Sequence, residues 1–312
     1  MLGKTANGLF WMSRYLERAE NTARLIETGQ RIALTRLGDD DAREWASILQ
    51  SAGSHPAFMN AHEEVTKEAA INWMLRDRDN PSSIRTCIEA ARQNARLVRT
   101  AITGEAWEAI NAAYMSANAS LARKVTERDL TEVLQRMRQG TALVRGMILG
   151  TMMRNEIFDF LRIGTFLERA DYTARIIDVK YYVLLPSINA VGTMIDNVHW
   201  ESILRAVSGR GGFRMEYGAG GGPREIVHFL VLDKRMPRSL AFCVSKIEDN
   251  LRYLDPDGRS PTLRMVRDLK TQYLSHDVSA IFDYGLHEFI QSVLSALGDV
   301  AAQIERDFRF YE

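Results

Sequence analysis

The hydrophobic pattern of this chain repeats at the spacing of an α-helix from its first residues onward. In the first predicted helix, apolar residues recur three, four and seven positions apart, as expected when one face of a helix lies in a core. These residues are Leu9, Met12, Leu16, Ala19, Ala23, Ile26 and Ala33. No stretch shows the sustained alternation, bounded by hairpin turns, that predicts β-strands. The pattern therefore predicts an all-α fold.

The same helical pattern occurs twice along the chain. Residues Tyr15 to Arg24 match Phe166 to Arg175 at an offset of 151, and further matches follow at 155 and then at 156. The pairs at 156 include Asp77 and Asp233, Pro81 and Pro237, Ser83 and Ser239, Cys87 and Cys243, Asn94 and Asn250, and Arg96 and Arg252. A repeat sustained over this length predicts an internal duplication.

We therefore predict a first helical repeat over residues 1–155 and a second over 156–312. No Pro/Ser-rich linker is present near residues 154–160, where the second copy begins. The two repeats are accordingly expected to form one fused bundle with pseudo-two-fold symmetry.

The balance of charges and the apolar segments bear on whether the chain binds nucleic acid or a membrane. Lys plus Arg and Asp plus Glu each number 40, so no net charge attracts the chain to nucleic acid or to an anionic membrane. The most apolar stretch is interrupted by Pro186 and Asn189 and is too short to span a bilayer. The N-terminal residues do not resemble a signal peptide, and two cysteines suit a reducing compartment. We expect a cytoplasmic protein that binds neither nucleic acid nor membrane.

Adjacent Glu and Arg residues mark both copies of the first helix, as Glu17-Arg18 and Glu168-Arg169. Each helix has apolar residues on two faces, so these charges are expected to be partly buried and to need partners. In one interpretation, Glu17 pairs with Arg169 and Arg18 with Glu168 about the pseudo-dyad. In the other, the arginines and Arg14 line a cleft for a carboxylate or phosphate, using the planar guanidinium fork. Ordinary solvated charges are a third alternative.

Further arginines extend the set of candidates. Arg24 and Arg175 each follow an acid by four residues, which is favourable within a helix. Arg85, Arg92, Arg96 and Arg99 fall on one side of the helix after Pro81, either as a solvated face or as a wall facing an anion. Arg235 and Arg238 lie at the start of the matching helix, whose N-terminus favours anions.

The sequence gives little support for metal binding or for nucleophilic catalysis. The histidines are not at metal-binding spacing, no nucleophilic triad is recognisable, and we predict neither a metal site nor a cofactor. The glycine-rich segment from Ser208 to Pro223 is interpreted as a mobile loop, with a phosphate-binding loop as the alternative.

Several segments together resemble the bacterial alpha-E family, which is named for its Glu-Arg motif. The segments are Leu9 to Arg24, Asn80 to Ile84, Ala91 to Arg96, Gly164 to Asp171 and Arg235 to Ser239. The resemblance implies an α-helical cytoplasmic protein of unassigned activity. It also implies genetic association or fusion with a circularly permuted ATP-grasp protein and a transglutaminase-like protein, and hence peptide or amide-bond synthesis or modification.

Two functions follow from this resemblance and the arginines. The first is a non-catalytic scaffold or substrate-binding partner of the ATP-grasp ligase. The alternative is an enzyme of the same pathway, with Glu17 or Glu168 as a general base and the arginines holding a carboxylate or phosphate. Such a base requires a raised pKa, and hence burial without an arginine partner.

Overall fold

A computed structural model describes residues 1–33, 41–184, 194–218 and 220–311. All regular structure within these residues is helical. The first half contains α1 (Gly3–Ala33), α2 (Asp41–Ser51), α3 (His55–Ala61), α4 (Lys67–Leu75), α5 (Ile84–Leu97), α6 (Gly104–Ser120) and α7 (Glu127–Thr151). The all-α prediction is confirmed.

The second half of the chain likewise begins with a long helix, and all of the helices named next belong to this half. It contains α8 (Glu156–Leu184), α9 (Met194–Ala206), α10 (Arg210–Tyr217), α11 (Pro223–Val227), a π-helical segment (His228–Leu232), α12 (Leu240–Leu254), α13 (Pro261–Tyr273), α14 (Val278–Tyr284) and α15 (Leu286–Asp307). The order of helices parallels that of the first half, with α14 as an addition. The duplication itself and the boundary at 155/156 stay predictions from the sequence.

The two long helices α1 and α8 pack against each other at the centre of the molecule. Gly164 lies where they approach closely, and a Cβ atom there would lie 2.4 Å from the carbonyl oxygen of Phe10. Outside this pair, α5 and α7 pack on α1, while α12 and α15 pack on α8. Helix α2 also packs on α8, and α9 on α1, so that each half covers the long helix of the other. This layering buries more than one face of both long helices.

The turns that precede α5 and α12 have the same local geometry. The hydroxyl oxygens of Ser83 and Ser239 accept hydrogen bonds from backbone N–H groups in the first turns of these helices, and such caps stabilise a helix N-terminus. The Cys87 thiol lies 3.8 Å from the carbonyl oxygen of Pro81, and the Cys243 thiol 3.9 Å from that of Pro237. Residues 82 and 238 therefore occupy equivalent backbone positions.

Part of the glycine-rich segment from Ser208 to Pro223 is helical, although the sequence predicted a mobile loop. Residues Arg210–Tyr217 form α10, and Phe213 within it is buried against Phe229, with ring centroids 5.6 Å apart. Burial of this aromatic ring offsets the conformational cost of the neighbouring glycines. The interpretation as a loop was wrong for these residues.

Candidate anion-binding site

Glu17 lies at the centre of the α1–α8 contact and is surrounded by guanidinium groups. Arg169 on α8 donates from Nε and Nη2 to its two oxygens, at 2.9 and 3.0 Å. Arg145 on α7 donates to Oε2 at 2.9 Å, and Arg238 Nη1 lies 3.0 Å from Oε1. The Glu17 side chain is only 3% exposed. We call Glu17 with Arg145, Arg169 and Arg238 the closed side of the centre.

Glu168 occupies the corresponding position on α8 and has fewer partners. Arg18 donates to both of its oxygens, at 2.6 and 3.1 Å, and Arg14 Nε donates to Oε2 at 2.8 Å. Arg14 also lies over the ring of Trp11, 4.6 Å from its centroid. We call Glu168 with Arg14 and Arg18 the open side of the centre, because a cavity adjoins it.

The two pairings expected across the pseudo-dyad are therefore both present, and they are part of a larger cluster. Four carboxylates meet seven guanidinium groups, which leaves an excess of three positive charges. The carboxylates are Glu17, Glu20, Glu168 and Asp171, and the guanidinium groups belong to Arg14, Arg18, Arg24, Arg145, Arg169, Arg175 and Arg238. We call this set the arginine–carboxylate centre.

The charges of the centre keep both glutamates ionised. Burial alone raises the pKa of Glu168, but the guanidinium groups of Arg18 and Arg14 outweigh it and lower the pKa to about 2. Burial is likewise outweighed at Glu17, whose pKa is held well below its ordinary range by Arg169 and its neighbours. Neither carboxylate has the raised pKa that a general base at neutral pH needs.

A cavity of about 280 Å³ adjoins the open side. Its walls are α1, α8, the corner between α2 and α3, and the turn before α5. Arg14, Arg18 and Arg175 supply three positive charges to its lining, against the two negative charges of Glu168 and Asp171. Nη1 and Nη2 of Arg14, and Nη1 of Arg18 and of Arg175, have no hydrogen-bond partner among the described residues. These donors are available to an anion.

Two buried polar groups in the lining also lack partners in the described part of the chain. They are the Tyr172 hydroxyl and Nδ2 of Asn21, in residues that are 5% and 3% exposed. Oδ1 of Asn21 accepts a hydrogen bond from Arg238 at 3.2 Å. This contact fixes the orientation of the amide, so the unpartnered atom is the Nδ2 donor. A buried donor without an acceptor costs roughly 1–3 kcal/mol.

Arg24 and Arg175 extend the centre to two corners of the fold. Arg24 pairs with Glu20 and donates to the hydroxyl of Ser208 after α9, at 2.7 Å. Arg175 pairs with Asp171 and lies beside Gly53 after α2, where a Cβ atom would be 3.0 Å from its Nη1. Gly53 and Ser208 both adopt positive φ, of 68° and 54°. The two corners thus have matching backbone conformations.

A second, smaller cavity of about 110 Å³ lies on the other face of α1, beside α7. Glu17, Arg145, Arg162 and Arg169 line it together with mostly apolar side chains. The carboxylate and two of the guanidinium groups are already paired with each other. Arg162 packs over the ring of Phe166 and donates no hydrogen bond among the described residues, so this cavity also has free donors, but in less than half the volume of the larger one.

Five of the arginines singled out in the sequence lie outside the centre: Arg85, Arg92, Arg96, Arg99 and Arg235. Arg92 donates to Asn111 at 2.8 Å and packs over the ring of Tyr114 on α6. Arg96 is exposed on α5, and Arg235 is exposed and pairs with Glu216 and Asp233. The proposed anion-facing wall on α5 is thus not part of the cavity, because Arg92 turns towards α6.

Arg145 is the partner that the sequence reasoning missed. Position 301, its counterpart at the offset of 156, is Ala, so comparing the repeats gave no signal. Asn21 and Tyr172 were missed for a similar reason, since they differ between the matched helices. Only the three-dimensional arrangement brings these residues together.

The buried cysteines do not add chemistry to the centre. Burial raises the pKa of the Cys87 and Cys243 thiols to about 12 in each case, so both are protonated at neutral pH and unreactive. Within the described ranges, no group of three or more His, Cys, Asp or Glu side chains is placed to hold a metal ion. No helix there is long and apolar enough to cross a membrane.

One known family matches almost the whole chain. The sequence model of Alpha-E, described as a predicted alpha-helical domain with a conserved ER motif, matches residues 1–308. The chain belongs to the Alpha-E family. In this Alpha-E protein, the adjacent pairs Glu17-Arg18 and Glu168-Arg169 both lie in the arginine–carboxylate centre.

The curated relatives of this Alpha-E protein include uncharacterised mycobacterial proteins. One from Mycobacterium bovis and one from Mycobacterium tuberculosis are each 23% identical over 96% of this chain and 36% of their own length. The chain thus spans about a third of the length of the relatives that it matches. No solved structure matches it.

Proposed function

We propose that this Alpha-E protein is a cytoplasmic ligand-binding accessory protein that holds a carboxylate or phosphate group in the cavity on the open side. Its partner in this proposal is a circularly permuted ATP-grasp ligase, with a transglutaminase-like protein in the same peptide or amide-bond system. The observation that carries the binding role is the buried donor set. Arg14, Arg18 and Arg175, each with free nitrogens, line one cavity together with Tyr172 and Asn21, whose buried hydroxyl and amide nitrogen have no partner among the described residues.

Electrostatics supports an anion as the ligand. The lining has one more positive than negative charge, and guanidinium groups bind carboxylates and phosphates through paired hydrogen bonds. The volume of about 280 Å³ is slightly below the ~300 Å³ at which drug-sized ligand sites begin. A small metabolite or one end of a peptide fits this space.

The proposal of an ATP-grasp partner is supported by the family resemblance and by the length of the relatives. Alpha-E proteins are expected, from the family resemblance, to occur with ATP-grasp and transglutaminase-like proteins. In the mycobacterial relatives, the matching region is about a third of a longer chain, which suits a domain that acts beside others. The lowered pKa of both Glu17 and Glu168 favours this accessory role over the enzyme alternative with either residue as base.

Calorimetric titration with inorganic phosphate and with glutarate tests the binding role. We expect saturable binding, weakened about tenfold or more in Arg175→Met, because a hydrogen bond to a charged group contributes about 1.5–3 kcal/mol. The matched control is Arg96→Met, which removes an exposed arginine outside the cavity and should bind as the wild type does. Absence of binding, or equal binding by Arg175→Met, would contradict the proposal.

The partnership needs its own experiment. We expect the purified ATP-grasp ligase to be retained by this protein in a pull-down, and its ATP turnover to change when this protein is added. This protein alone should show no turnover. Failure of the two proteins to associate would remove the ligase from the proposal and leave the binding role standing.

A further inference from the structure

The equivalent positions 82 and 238 are occupied by Ser82 and Arg238. This difference decides whether a guanidinium group fills the space beside the central carboxylates. On the closed side, the guanidinium of Arg238 is buried, 8% exposed. It contacts Glu17 at 3.0 Å, Glu20 at 2.7 Å and Oδ1 of Asn21 at 3.2 Å. On the open side, Ser82 lines the cavity instead.

The groups that Arg238 contacts have counterparts in the cavity. At the offset of 151, Glu17 corresponds to Glu168, Glu20 to Asp171 and Asn21 to Tyr172, and all three counterparts line the open cavity. The space that a guanidinium fills on the closed side is thus free on the open side, next to two carboxylates and a hydroxyl.

The hydrogen bonds of the two glutamates differ in the same way. Glu17 has four close guanidinium contacts, one of them from Arg238. Glu168 has three, all from Arg14 and Arg18. Since a carboxylate can accept about four hydrogen bonds, Glu168 keeps one acceptor position for a further cation.

We propose that the cavity contains a cation subsite at Glu168 and Asp171, next to its anion subsite, and that its ligand is therefore an amino-acid-like zwitterion. This deepens the proposed function and rests on it for the anion subsite. The ligand carries an amine or guanidinium, which replaces the absent Arg238 equivalent, and a carboxylate or phosphate for the free nitrogens of Arg14, Arg18 and Arg175. Both groups fit within one cavity of about 280 Å³.

The cation subsite can be tested without knowing the ligand. Ser82→Arg supplies the guanidinium that the closed side has, while Ser82→Met adds an apolar side chain without charge. We expect the melting temperature of Ser82→Arg to exceed that of Ser82→Met by about 2 °C or more, because the introduced guanidinium would contact the two carboxylates. An equal or lower melting temperature for Ser82→Arg would overturn the subsite.

Binding measurements then separate this inference from the proposed function. L-glutamate and glutarate share a carbon chain and two carboxylates, and differ by the amine. We expect the wild type to bind L-glutamate about tenfold more tightly, the ratio expected for one charge-assisted hydrogen bond, and Asp171→Asn to reduce that ratio towards one. Binding of glutarate as tight as that of L-glutamate overturns the zwitterion and keeps the anion site. Binding of neither contradicts the proposed function, and the two Ser82 variants still decide the cation subsite.

Discussion

The closed and open sides of the arginine–carboxylate centre start from nearly the same sequence and end in different states. Glu17 and Glu168 each sit on a long central helix, and each receives a two-nitrogen clamp from the arginine of the other motif. On the closed side, Arg145 and Arg238 complete the shell. On the open side, Arg14 alone is added, and a cavity remains.

This difference shows how two helices with matching sequences can place the same motif in different surroundings. On the closed side, three guanidinium groups surround the buried carboxylate of Glu17, only the smaller cavity of about 110 Å³ adjoins it, and the ion pairs fix the register of α1 against α8. On the open side, Glu168 is paired with only two guanidinium groups, and the cavity of about 280 Å³ beside it has space for a ligand. The change from Ser to Arg at one turn, positions 82 and 238, accounts for much of the contrast.

The largest predicted effect is loss of the closed-side carboxylate. Glu17→Gln keeps the volume of the side chain but leaves the buried Arg169 without a carboxylate, while Arg145 and Arg238 keep only Glu20. Removing one partner of a buried ion pair costs about 3–5 kcal/mol, and we expect a loss of stability in this range. Urea unfolding followed by circular dichroism measures it.

Glu168→Gln is the matched variant on the open side. We expect it to cost roughly half as much, because the arginines that lose their partner are less buried: the Arg18 side chain is a quarter exposed, whereas that of Arg169 is 9% exposed. The adjoining cavity also lets water reach them. An equal or larger loss for Glu168→Gln would show that the two sides do not differ in how tightly their carboxylates are held.

A smaller effect is expected from opening the closed side. Arg238→Ser removes contacts with Glu17, Glu20 and Asn21, while other arginines still pair with both carboxylates. The expected cost is about 2 kcal/mol, in the range of a hydrogen bond to a charged group. We also expect low millimolar guanidinium, far below denaturing concentrations, to raise the melting temperature of this variant.

Arg238→Met provides the control for chemical rescue. Its side chain fills much of the vacated volume without charge, so guanidinium should not stabilise it. If guanidinium stabilises both variants equally, or neither, the space left by Arg238 is not a cation site. That result would also weaken the comparison with the open side.

Much of the centre could be predicted from the sequence, for a definite physical reason. Glu and Arg adjacent on a helix cannot pair well with each other, and apolar residues on two faces bury both, so each needs a partner elsewhere. The second Glu-Arg motif, at the sequence offset of 151, was the partner that the sequence predicted. The all-α class followed from helical periodicity alone, as in α1.

The remaining features depend on packing that a single sequence does not encode locally. Arg145 lies on α7 among other arginines, and only the placement of α7 beside α1 brings it to Glu17. Arg92 has a suitable position on a helical wheel, but the rings of α6 attract it away from the cavity. The difference between Ser82 and Arg238 is visible in the repeat, whereas the cavity that it leaves is not.

The smallest predicted effect concerns a carboxylate on α8 that, unlike Glu168, has no arginine clamp. Burial raises the pKa of Asp159 to about 6, and Arg162 opposes the shift only in part. The folded state therefore prefers the protonated form, and the wild type loses stability as pH rises from about 4 through 6. Glu168 behaves in the opposite sense: its pKa of about 2 makes stability fall as pH drops from about 4.5 towards 2.

Asp159→Asn removes the charge at every pH. We expect it to stabilise the protein at pH 8 by on the order of 1 kcal/mol, after allowing for screening of the charge by solvent. The gain should vanish near pH 4, where the wild-type carboxyl is protonated in the folded state. Glu168→Gln should instead destabilise at pH 8 and approach the wild type only in strong acid. Melting temperatures from pH 3 to pH 8 measure both trends, and parallel curves for the two variants would refute the assignment of opposite electrostatic environments to these carboxylates of α8.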